Sequence, residues 1–135
     1  MEKNIAIQDV MTKFVYTIGK EQNLKIAKQK MNEHRIRHLP VQDAGKLVGV
    51  ISDRDIHFAL AFEHKDPEEL KVKDILTEYV YVVSPEEKVD TVSRKMANEH
   101  IGCCLIEEEG KLKGIFTTVD ACHLLAEVLS DKIEQ

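Results

Sequence analysis

Two short patterns hold the side chains whose types and spacing could do chemistry in this chain of 135 residues. Ser52-Asp53-Arg54-Asp55 follows the apolar run Gly49-Val50-Ile51, and Thr117-Thr118-Val119-Asp120 follows Gly114-Ile115-Phe116. A Ser or Thr where a strand runs into a helix sets its hydroxyl beside unpaired backbone N–H groups at the positive helix end, a ready site for a phosphate. An ionised Asp one turn later only accepts hydrogen bonds, and it can take them from two vicinal hydroxyls of a sugar. The same Ser/Thr-x-x-Asp spacing is also close to a capping box, in which the two side chains satisfy only the helix's own first N–H groups. The glycine before each pattern, the preceding hairpin and the in-register repetition weigh toward a ligand.

The elements that must position these residues occur twice. Ile7 to His57 lies over Val72 to Cys122 without a gap, at a constant offset of about 65 residues, so two copies of one supersecondary unit fill the chain. Asp9-Val10-Met11-Thr12 falls on Asp74-Ile75-Leu76-Thr77, and Gly45-Lys46-Leu47-Val48-Gly49 on Gly110-Lys111-Leu112-Lys113-Gly114. Leu24, Ile26, Ala27 and Met31, then Val89, Val92, Met96 and Ala97, draw an apolar stripe along one helical face in each copy. Ser84-Pro85-Glu86-Glu87 reads as the start of the second such helix, with Ser84 as N-cap and Glu87 as its reciprocal partner. Two apolar runs around Gly45 or Gly110 then predict a hairpin, and a last helix follows each, over about Arg54–Glu63 and Val119–Lys132. The expected fold class is therefore α/β in the mixed, α+β sense, each copy running strand, helix, strand, strand, helix. Residues 1–64 form the first repeat, 65–71 a linker and 72–135 the second. Units this short suggest a shared core around a pseudo-twofold axis.

With the preceding Arg37-His38-Leu39-Pro40-Val41-Gln42-Asp43, the two Gly-x-x-Ser/Thr-x-x-Asp patterns resemble the CBS domain, named for cystathionine beta-synthase. The resemblance covers nearly the whole chain, and a tandem pair of this kind is called a Bateman module. It implies an adenosine-containing ligand, such as AMP, ADP, ATP or S-adenosylmethionine, in the cleft between paired repeats. Carried over, Asp55 and Asp120 hold ribose while Ser52 and Thr117 lie near phosphate. The resemblance to the family's kinase regulatory subunits adds Arg37 and His38, beside the Leu39-Pro40-Val41 segment that brings in Pro40, as phosphate contacts. Thr17 matches a polar position near the family's base pocket.

The two copies are unequally equipped. Arg37, His38 and Arg54 put cationic donors near the first motif, where the second copy has Gly102, Cys103 and Val119. Val82 replaces Thr17. Arg54 has a rival reading as a surface partner of Asp53, Asp55 or Glu21.

Composition excludes several classes. With 43% hydrophobic and 32% charged residues the chain reads as a globular protein, and no apolar run approaches the roughly 20 residues of a membrane span. Met1-Glu2-Lys3-Asn4 opens no secretory stretch, so a cytoplasmic location is expected. A net charge of −5 and the absence of Trp argue against a nucleic-acid partner. Cys103, Cys104 and Cys122 read as reduced thiols, with a metal or redox site of Cys103, Cys104 and His123 as the alternative, although no Cys-x-x-Cys spacing supports it. Ser52 has Asp55 nearby but no positioned base, so no catalytic residue, no metal ligand and no required cofactor is expected, and the protein reads as a non-enzyme.

The expected function is regulatory: adenine-nucleotide sensing passed to a partner protein by a change of shape or assembly. The alternatives are a ligand-free dimerisation or scaffold module and a metal or redox sensor. Apolar residues on the last helices, Ile56, Phe58, Ala59, Leu60 and Phe62 with Leu124, Leu125, Val128 and Leu129, predict a homodimer.

Overall fold

Left-handed backbone at two successive residues closes each hairpin: Ala44 and Gly45 have φ of 51° and 81°, Glu109 and Gly110 of 52° and 76°. Such two-residue turns match the right-handed twist of paired strands, and a glycine at the second position meets the positive φ without a Cβ penalty. In the computed structural model, which describes residues 4–134, these hairpins sit inside the expected repeat. The first copy runs β1 (Ile18–Gly19), α1 (Leu24–His34), β2 (His38–Asp43), β3 (Lys46–Ser52) and α2 (Asp53–Glu63). After a short α3 (Val72–Ile75), the second runs β4 (Val82–Val83), α4 (Val89–Glu99), β5 (Cys103–Glu108), β6 (Lys111–Thr117) and α5 (Thr118–Glu134). Each copy has one three-stranded sheet, in which a short strand pairs parallel with the first hairpin strand and the hairpin itself is antiparallel.

The compact units are not the two halves of the sequence. One spans Tyr16–Val80; the other joins the segment up to Val15 with the chain from Tyr81 onward. In the first, Val50 and Thr77 exchange backbone hydrogen bonds of 3.0 and 2.9 Å along the free edge of β3. In the second, Thr12 and Ile115 do the same on β6, at 2.8 and 2.9 Å. The opening segment of each repeat thus closes the sheet of the other repeat. This explains the glycine of the motif: a Cβ on Gly49 would stand 2.6 Å from the Thr77 carbonyl oxygen, and one on Gly114 2.8 Å from Met11 Cγ.

The borrowed segments lengthen each unit, and each has a hydrophobic cluster of its own. Leu24, Ala27, Met31, Leu39, Ile51, Ile56 and Val72 fill the Tyr16–Val80 unit. Ile7, Val92, Met96, Cys104, Ile106 and Phe116 fill the other. The same borrowing corrects the expected start of the second central helix. Ser84–Glu87 forms a turn whose Pro85 and Glu87 carbonyls accept from the Gln8 and Ile7 N–H groups, at 3.2 and 2.7 Å. The helix begins only at Val89, with Lys88 as its N-cap. Its counterpart α1 has a side-chain cap, Asn23, which accepts from the Ile26 N–H at 3.0 Å. It ends at Arg35 in left-handed backbone, so His34 and His38 lie on different elements.

Candidate functional site

The hairpin register brings the first motif together. His38 is the cross-strand partner of Ser52, Pro40 of Val50, and the Asp53 N–H donates to the Arg37 carbonyl at 2.9 Å. β1 enters beside β2 with Ile18 opposite Val41, which sets Thr17 at the Pro40 end of that pairing. Thr17 is half-buried, and its carbonyl accepts from the Lys30 ammonium at 2.6 Å. Thr17, Arg37, His38, Pro40, Ser52, Arg54 and Asp55 therefore gather on one unit, and Thr117 and Asp120 lie on the other.

Both motifs are helix caps as well. The Ser52 N–H donates to Asp55 Oδ2 at 3.2 Å, and the Asp55 N–H donates to Ser52 Oγ at 3.0 Å, a complete capping box at the start of α2. Thr117 and Asp120 repeat it at α5, with 2.8 and 3.2 Å. The capping alternative is thus physically present, and the question becomes what capacity remains for a ligand. Ionised Asp has about four acceptor sites. Asp55 uses one, for Ser52 N–H, and among the described residues its Oδ1 accepts nothing. Ser52 Oγ accepts from Asp55, which leaves its own proton to donate. Asp120 is far more committed: Oδ2 accepts from both the N–H and the hydroxyl of Thr117, and Oδ1 accepts from the Thr12 hydroxyl at 3.1 Å.

An open hollow of about 330 Å³ borders Asp55 on α2, walled by Arg54, Phe58, Phe62 and Ile75. Of the partners the sequence offered Arg54, Glu21 instead takes Lys71 and Lys73 at 3.2 and 3.0 Å, and Asp53 lies 3.4 Å from His57. Among the described residues Arg54 forms no ion pair. The environment of His38 bears on its charge. Burial pushes its pKa below the usual histidine value, against the opposing pull of Asp55, which favours the neutral imidazole. Arg37 and Arg54 supply the fixed positive charge, and both are exposed.

Cys103 and Cys104 are buried while Cys122 is exposed. Burial pushes the Cys103 thiol up to about 11 and the Cys104 thiol up to about 12, so neither is a thiolate near neutral pH. His123 sits on exposed α5 surface, and among the described residues no group of three or more His, Cys, Asp or Glu side chains is placed to hold a metal. Also among the described residues, no helix is long and apolar enough to cross a membrane. Sequence reasoning missed Thr12. Its match to Thr77 in the repeat was visible, but its contact with Asp120 spans 108 positions and arises only from the borrowed segment.

The family model for the CBS domain matches twice, over residues 7–61 and 72–127. The chain belongs to the CBS domain family. It is a tandem CBS pair, an arrangement that is typically regulatory rather than catalytic. The CBS domain pair of protein MJ0100, solved in complex with 5′-methylthioadenosine and S-adenosyl-L-methionine, superposes with a TM-score of 0.84 at 28% identity, covering 93% of this chain and 98% of that one. An uncharacterized conserved protein from Pyrococcus horikoshii gives 0.82 at 30% identity, with 92% and 94% covered. Among curated relatives, L-aspartate semialdehyde sulfurtransferase of Methanosarcina acetivorans is 33% identical over 122 residues, which are 89% of this chain and 24% of the relative. Inosine-5′-monophosphate dehydrogenase of Korarchaeum cryptofilum is 35% identical over 110 residues, 81% of this chain and 22% of the relative. The chain spans about a quarter of the length of these relatives.

Proposed function

We propose that this CBS pair is a nonenzymatic regulatory module that binds an adenosine-containing ligand, with ribose on Asp55, phosphate or its equivalent near Ser52, and Arg37 and Arg54 as the cationic contacts. His38 serves as a neutral hydrogen-bonding group, and Pro40 and Thr17 border the base. Thr117 and Asp120 form the corresponding site of the other unit. The observation that carries the reading is the unused capacity at the first motif: a free carboxylate oxygen on Asp55 and a free hydroxyl proton on Ser52, one helical turn apart at a helix N-terminus. The methylthioadenosine and S-adenosylmethionine bound by the MJ0100 pair support the ligand class. Cytoplasmic AMP, ADP or ATP would meet the same donors and acceptors.

Signal output is through assembly or shape, acting on a partner protein. A homodimer through α2 and α5 fits the apolar surface that each unit leaves uncovered. Phe58 and Phe62 are 73% and 74% exposed with rings stacked 6.4 Å apart, and Leu125 is 58% exposed. Ile56, which the sequence grouped with them, is fully buried in its own core, and Leu60 and Leu124 pack against the cores of their units. Light scattering at micromolar concentration should give twice the chain mass, and a monomer mass would remove this part of the reading.

A thermal-shift panel of adenosine, AMP, ATP, S-adenosylmethionine and guanine controls tests the ligand class. A compound that binds only the folded state adds about 2.7 kcal/mol at a hundredfold excess over Kd, a rise of several degrees in Tm. Guanine controls should leave Tm in place. The completed caps favour one second reading, a ligand-free scaffold, in which no adenosine compound shifts Tm while the dimer persists.

A further inference from the structure

Thr12 and Thr77 occupy equivalent places in the repeat and have equivalent backbones, each paired by two hydrogen bonds to the edge of a hairpin strand. Their side chains do different things. The Thr12 hydroxyl donates to Asp120 Oδ1 at 3.1 Å, and no such bond joins Thr77 to Asp55. Thr117 adds a further difference, because its hydroxyl donates to Asp120 Oδ2 at 3.1 Å, while the Ser52 hydroxyl makes no bond to Asp55 Oδ2. Of about four acceptor sites on each carboxylate, Asp120 has three engaged and Asp55 one. A vicinal diol needs two. Asp55 can receive both hydroxyls of a ribose, and Asp120 only one.

Resting on the ligand reading above, we infer that Thr12 is a specificity-determining residue: its hydroxyl stands in for one ribose hydroxyl on Asp120, so that the Asp55 site distinguishes ribose from 2′-deoxyribose and the Asp120 site does not. The Thr12 backbone is held at 2.8 and 2.9 Å to Ile115, which sets its hydroxyl within hydrogen-bond reach of Asp120. A ligand that needs both diol contacts must displace it. One charge-assisted hydrogen bond is worth roughly a tenfold change in affinity, which sets the expected size of the preference.

The probes are adenosine and 2′-deoxyadenosine, titrated calorimetrically. In an Asp55→Ala chain, which leaves the Asp120 site, the two should bind within about threefold of each other. Adding Thr12→Val, which keeps the β-branched shape and the backbone pairing, should raise adenosine affinity about tenfold and leave 2′-deoxyadenosine unchanged, opening a ribose preference. Thr12→Ser keeps the hydroxyl and should behave as the parent. In an Asp120→Ala chain, the Asp55 site should show the tenfold preference at once, and Thr77→Val should not alter it. An unchanged adenosine-to-deoxyadenosine ratio on adding Thr12→Val, or loss of all binding in that double variant while the Asp55→Ala chain still binds, overturns the role of Thr12. Failure of the unmutated chain to bind either nucleoside at millimolar concentration instead sinks the ligand reading itself.

Discussion

Replacing Gly49 with alanine tests the crossed architecture at its tightest point. The new Cβ would lie 2.5 Å from Leu76 Cδ1 and 2.6 Å from the Thr77 carbonyl oxygen, where ordinary contacts begin at 3.4 Å. The leucine methyl can rotate away, but the carbonyl belongs to backbone that Val50 holds at 3.0 and 2.9 Å. Moving it back by about 0.8 Å stretches those bonds beyond useful length, and two net hydrogen bonds at about 1 kcal/mol each give a cost near 2 kcal/mol. Accepting the overlap instead costs about 1–3 kcal/mol. Gly114→Ala is the milder comparison, because the three nearest atoms its Cβ would meet all belong to the Met11 side chain, which can yield more readily than a hydrogen-bonded carbonyl. Urea denaturation of both variants, with unchanged slope, should place Gly49→Ala well below Gly114→Ala. Equal stability of the two, or Gly114→Ala the weaker, would refute the docking of the Thr77 segment on β3.

His38 gives a pH prediction. Its pKa is lowered on folding, so the unfolded chain binds the extra proton first; the stability tied to neutral His38 is complete above the ordinary value near 6.5 and declines as pH falls below it. Denaturation midpoints between pH 7.5 and 5 should therefore fall less steeply in His38→Asn, and identical profiles would count against a half-buried imidazole that resists protonation. The cysteines supply another. Iodoacetamide at pH 8 should modify exposed Cys122 promptly and leave Cys103 and Cys104 unmodified in the folded chain, as mass spectrometry of tryptic peptides would reveal. Rapid labelling of Cys103 would revive the redox-sensor alternative.

The repeat, the order of its elements and the position of both motifs could be read from the chain because they depend on local patterns: helical stripes, Gly turns and a Ser/Thr-x-x-Asp junction. What escaped was non-local. No spacing announces that Met11 and Thr12 serve β6 while Leu76 and Thr77 serve β3, and this exchange decides where α4 starts, why Gly49 and Gly114 are glycine, and how much of Asp120 is free. The sequence did expect the second motif to be weaker, on the grounds of missing cations at Gly102, Cys103 and Val119. The hydroxyls of Thr12 and Thr117 add a second cause that no charge count contains. The lowered pKa of His38 was hidden for a related reason, since burial is set by packing that residue types do not disclose.

Calorimetric titration of adenosine and ATP into the unmutated chain, Asp55→Ala and Asp120→Ala tests the central claim most directly. Loss of the Asp55 cap contact should lower stability by about 1 kcal/mol, which urea denaturation measures separately from binding. If Asp55 holds ribose, Asp55→Ala should weaken both ligands at least about tenfold while the fold persists, and Asp120→Ala should leave the tighter of the two sites intact. Unchanged affinity for both ligands in Asp55→Ala would show that the repeated motif is a pair of helix caps and nothing more.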